Sequence, residues 1–204
     1  MAVTDWELAR RSAPAGHSIR NPHLRALAER AEVAKARARR LVGGIVLAQL
    51  DWSPAPRAWS IGQCLEHLVL TGARYHELMS AALARAWLRR PPATSYDDWP
   101  SSLFGRLLHE AVRPEGRRRR APRILDPRMR VRPDVLRSFL EIQADYQSLL
   151  KAADGMAVEE VRLHSPVSRL VRLHLGDCFR ILAAHTERHL DQAERVRAHP
   201  AFPA

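Results

Sequence analysis

Ala184-His185-Thr186-Glu187-Arg188-His189-Leu190-Asp191-Gln192 carries two histidines one helical turn apart, so on a helix both imidazoles leave the same face. Outward from it, along 173–198, the stripe reads Leu175, Cys178, Leu182, His185, His189, Ala193 and Val196, at three- and four-residue steps. That period predicts an amphipathic helix whose core-facing side holds both histidines. Ten histidines in 204 residues give roughly half of one such pair by chance, so the spacing alone decides little. Position decides more. Two imidazoles facing a core are costly unless hydrogen-bonded or metal-bound. The plainer alternative is a pair of core histidines satisfied by neighbouring hydroxyls and carboxylates.

Three other long stretches share the helical period, and no stretch reads as a strand. The first runs over 22–50, with Leu24, Leu27, Ala31, Ala34, Leu41, Ile45 and Ala48 on one face and a kink expected at Gly43-Gly44. The connection 51–57, with Pro54 and Pro56, is short, so the next helix returns antiparallel. That second helix starts at Ser60, whose capping box closes with Gln63 and whose hydrophobic staple pairs Trp59 with Cys64. It runs to about Arg90 and stops at Pro91-Pro92. The third follows Pro133 through Phe139 and Tyr146 to just before Gly155. Between the second and third lies an irregular, basic, proline-rich crossover, 91–132, with one short helix at 101–111. The expected fold is all-α: a four-helix bundle, up-down-down-up, with that long crossover between helices 2 and 3. Residues 1–21 form an N-terminal extension to a single domain, 22–199.

Composition narrows the setting. Two cysteines, Cys64 and Cys178, make no disulfide framework and fit a reducing cytoplasm. With Asp5 and Glu7 near the start and no apolar run there, no signal peptide is expected. The longest apolar-leaning run, 41–50, is about half a membrane span. The net charge of +11 raises a nucleic-acid hypothesis, but arginine crowds into 113–132 and only Lys35 and Lys151 are lysines. No helix-turn-helix, zinc-finger or RNA-binding signature accompanies the charge, so no specific nucleic-acid partner is expected.

Three stretches resemble the DinB-like superfamily, and more closely its YfiT-like branch of metal-dependent hydrolases and thiol transferases. Trp59-Ser60-Ile61-Gly62-Gln63-Cys64-Leu65-Glu66-His67-Leu68 is similar to the family's entry into helix two, which ends in a metal-binding histidine. Ser165-Pro166-Val167, followed by Leu173-His174-Leu175-Gly176-Asp177, resembles the run into helix four, and 184–192 resembles its His-x₃-His-Leu-x-Gln ending. The resemblance spans roughly 24–197 and implies one divalent metal, nickel or zinc, at His67, His185 and His189. It also implies a small-molecule substrate, with a low-molecular-weight thiol among the candidates. A homodimer is a further expectation.

Three imidazoles leave a divalent ion its full charge and an open position, where a water turns acidic or a thiolate binds. Gln63 and Gln192 are placed by helical spacing to hold the second nitrogens of His67 and His189. His67 lies near the edge of its stripe, so its inward direction is less secure than that of the other two. Glu66 and Glu187 adjoin the histidines in sequence but point about 100° away, toward a solvated surface. Cys64 reads as a small buried hydrophobe, and His76, His164 and His174 as structural or surface residues. No Ser-His-Asp order, phosphate loop or Cys-x₂-Cys motif is present. The competing class is a non-catalytic helical binding protein with a structural or vestigial histidine site and a basic anion-binding loop. Metal content separates the two.

Overall fold

The computed structural model describes residues 18–89, 96–116, 121–127 and 131–204. Most of the N-terminal extension, the Pro91-Pro92 stop and the arginines at 117–120, 128 and 130 lie outside those residues. The described chain is mainly helical: α1 Pro22–Val42, α2 Leu47–Asp51, α3 Ile61–Arg89, α4 Leu103–Val112, α5 Val135–Ala152 and α6 Leu175–Arg197. A 3₁₀ turn at Arg123–Leu125 and a two-stranded antiparallel sheet, β1 Arg162–Ser165 and β2 Ser168–His174, complete it.

Local chemistry sets the helix ends. Asn21 caps α1, its Oδ1 accepting from the N–H of His23 and Leu24 at 2.9 and 3.2 Å, with Pro22 in the first turn. The expected 22–50 helix is two helices. Gly44 sits at φ +74°, a left-handed conformation open to glycine, and the chain leaves α1 there and re-enters a helix only at Leu47. At α3 the capping box forms as expected. Ser60 Oγ accepts from Gln63 N–H and Gln63 Oε1 accepts from Ser60 N–H, each at 3.1 Å.

The hairpin corrects the expectation of no strand. Val161, Leu163 and Ser165 alternate inward with Arg162 and His164 outward, and Leu163 pairs with Leu173. The period of two is there, but short, and no glycine marks the turn at 166–167.

Helices α1 and α3 each pack against both α5 and α6. Two apolar cores result. One gathers Leu24 and Leu27 from the start of α1, Met79 and Leu83 from the end of α3, Leu149 and Leu150 from the end of α5, and Cys178 and Phe179 from the start of α6. The other gathers the opposite ends: Ala38 and Leu41, Ile61 and Leu65, Val135 and Phe139, Leu190 and Ala193. At the level between them lie the buried polar residues Thr71, Gln143, Thr186 and His189. No helix of the described residues is long and apolar enough to cross a membrane.

The crossover is tied down on two sides. On one, Ser102 caps α4 and donates to the buried Asp177 Oδ2 at 2.6 Å. Arg180 donates to the Trp99 carbonyl at 3.0 Å and stacks 4.4 Å from the Trp99 ring centroid. On the other, the residues around the 3₁₀ turn and Val131 lie along the first turns of α3. A Cβ on Gly62 would fall 2.6 Å from Val131 Cγ1, so only glycine permits that approach. Covered there as well as by α5 and α6, α3 is buried almost all round from Ile61 to Val69.

Candidate metal centre

That covering explains two side chains whose spacing suggested otherwise. His67, at the edge of the α3 stripe, is 3 % exposed. Glu66, expected on a solvated surface, is 1 % exposed and accepts from Arg132 Nε at 3.0 Å. The crossover supplies an inside where a bare helix would have had an outside. Glu187 keeps a partly solvated place, gripped bidentately by Arg30 at 2.7 and 2.8 Å.

The structure brings His67, His185 and His189 together. One ring nitrogen from each lies within 4.8 Å of the others, and the ring centroids are 4.6–5.0 Å apart. Helix α6 contributes two of them by its four-residue spacing, and α3 packs its first turns against that face. His67 Nδ1 donates to the Leu125 carbonyl at 2.6 Å, which leaves its Nε2 unprotonated. His189 Nδ1 donates to Gln192 Oε1 at 3.1 Å with the same consequence. Gln192 thus stands where helical spacing put it, whereas Gln63 spends its oxygen on the cap. The acceptor on His67 is instead a backbone carbonyl 58 residues away in sequence.

His67 Nε2 lies 3.1 Å from His185 Nε2. Two lone pairs cannot face each other at that distance without a proton or a cation between them. A tetrahedral ion bound to imidazoles at about 2.0–2.1 Å sets their nitrogens about 3.3–3.4 Å apart, so the 3.1 Å His67–His185 pair is close to ligand spacing, and His189 completes a set whose ligand atoms lie within 4.8 Å of one another. The donor set is right for zinc, nickel, copper or iron.

Electrostatics keep the three rings neutral. Burial, and then the charge that its two neighbours would carry, hold His185 well below the ordinary imidazole range. Burial and His67 push His189 down to about 3. Burial lowers His67 too, opposed by the Leu125 carbonyl. Neutral imidazole is the metal-binding form.

Trp59 is the site residue that sequence reasoning assigned elsewhere. It packs on the same core as Cys64, as a staple would, and its indole also stacks on His189 at 5.4 Å and tilts against His67 at 4.8 Å. An aromatic residue just before the cap of a histidine-bearing helix was the available signal. Cys64 is fully buried in that core, and burial drives its thiol up to about 12, as it raises that of Cys178. His76 lines the cavity beside His185. His174 caps α6 with its Nδ1 buried, and His164 points outward from β1.

Neither the curated proteins nor the solved structures give a significant match to this chain. A family model described as the DinB superfamily matches residues 30–193, a span that takes in all three histidines, the whole of α3 and α6 as far as Ala193. The chain belongs to the DinB superfamily.

Proposed function

We propose that the protein is a metal-dependent enzyme of the YfiT-like type, with one divalent ion, nickel or zinc, held by His67, His185 and His189. The observation that carries this is the convergence of three buried, neutral imidazoles, one ring nitrogen of each within 4.8 Å of the others and two of them with Nδ1 already engaged. When bound, the ion supplies Lewis acidity to a water or a low-molecular-weight thiol at its open position. The chain does the rest. Leu125 and Gln192 hold the tautomers of two rings, and Trp59 excludes water from one side of His67 and His189. The sharing of opposite helix ends between the two cores supports the up-down-down-up bundle. Two free, buried cysteines support a cytoplasmic setting.

Elemental analysis of the purified protein is expected to find about one divalent ion per chain. His185→Ala or His189→Ala removes it, and His67→Ala weakens its retention strongly. Wild-type retention in all three variants would overturn the site. Turnover that requires an added low-molecular-weight thiol separates the transferase form of the proposal from the hydrolase form.

A further inference from the structure

Between the two apolar cores the helices leave a narrow, partly open pocket with about 30 Å³ of room for the centres of water-sized molecules, and His185 is part of its wall. The imidazole that closes the metal centre therefore also faces this space. Most of the remaining wall is aliphatic, from Leu68, Ile142 and Leu182 among others. Thr71, Gln143 and Thr186 are its buried polar members, 4 %, 6 % and 7 % exposed. Thr71 Oγ1 has no hydrogen-bond partner among the described residues, not even the carbonyl one turn back that a helical threonine commonly takes. A buried hydroxyl without a partner in an apolar wall marks the place where a ligand's polar atom belongs.

The charges of the wall exclude one class of ligand. Arg30 and Glu187 line the pocket, but each answers the other through two hydrogen bonds, so neither offers an uncompensated charge. In the metal-free protein an anion entering would lose its hydration for no counterion from that pair. Resting on the metal-enzyme reading above, we infer that this pocket receives the uncharged, mainly apolar part of the substrate through a hydrogen bond to Thr71. The substrate class is then a compact carbonyl, amide or alcohol presented to the centre past His185, and the polar body of any thiol co-substrate lies outside the pocket.

Isovaleramide and isovalerate test this, since they share a shape and differ in charge. Each is titrated into the full-length protein, EDTA-treated and zinc-loaded, with backbone amide NMR shifts as the readout. In the EDTA-treated protein isovaleramide is expected to bind at least about tenfold more tightly than isovalerate, with the largest shifts at Thr71, Gly72 and Ala183. Thr71→Val keeps the shape, removes the hydroxyl and should weaken isovaleramide about fivefold. Ala183→Leu, which fills the pocket, should abolish binding. Equal affinity for the two probes, shifts elsewhere, or an unchanged Thr71→Val would overturn the inference. Amide selectivity that survives in a protein unable to hold metal would leave the pocket standing and remove the metal reading alone.

Discussion

EDTA-treated protein is expected to lose stability steeply as the pH falls below about 6.5, the ordinary histidine value from which His189 is displaced. Its folded-state pKa is lowered to about 3, so between those two values the unfolded chain binds a proton at position 189 that the folded chain refuses. Stability therefore rises with pH across that window, by about 1.4 kcal/mol per unit, and is level above it. From pH 7 to pH 5 the loss from His189 alone is about 2 kcal/mol, a large share of the roughly 5–15 kcal/mol that holds a domain together. His185 and His67 are displaced in the same direction and add to it. Urea unfolding at pH 7, 6 and 5 measures the slope, and His189→Gln should reduce it by close to one proton. A wild-type profile flat from pH 7 to 5 would mean that the cluster is not the neutral, buried set described above.

Periodicity reads well where one element decides the outcome. The stripe on 173–198 placed His185 and His189 on the buried side of α6, and Ser60 with Gln63 placed the start of α3, because both signals lie within a few residues of chain. Local signals failed where a second segment intervened. A helix wheel puts Glu66 in solvent, and it would be there if Arg132 and its neighbours did not lie over it. The same covering seats His67 and brings in the Leu125 carbonyl, a group with no side-chain identity to read. The hairpin escaped notice for another reason: one strand of four alternating residues and one of seven that do not alternate, without a glycine turn, are weak against a helical background.

Arg132→Ala tests that covering most directly. Its Nε holds Glu66 Oε2 at 3.0 Å, and the two side chains differ sharply in surroundings, 42 % exposed for Arg132 and 2 % for Glu66. Removing the arginine strands a buried carboxylate. For a fully enclosed pair that costs about 3–5 kcal/mol, and since Arg132 is partly in water the expected loss is about 2–3 kcal/mol. Adding Glu66→Gln to Arg132→Ala should recover more than half of the loss, because the amide is neutral; a simple packing defect would not respond in that way. The effect should also reach the centre. Arg132 anchors the segment that presents the Leu125 carbonyl, and that carbonyl orients His67. Loss of an orienting partner typically lowers metal affinity about 10–100-fold, so competition with a chelator should show such a drop in Arg132→Ala. Unchanged unfolding together with unchanged metal affinity would mean that the crossover merely lies on α3. A fall in both means that this irregular segment is what turns an edge histidine into the third member of the site.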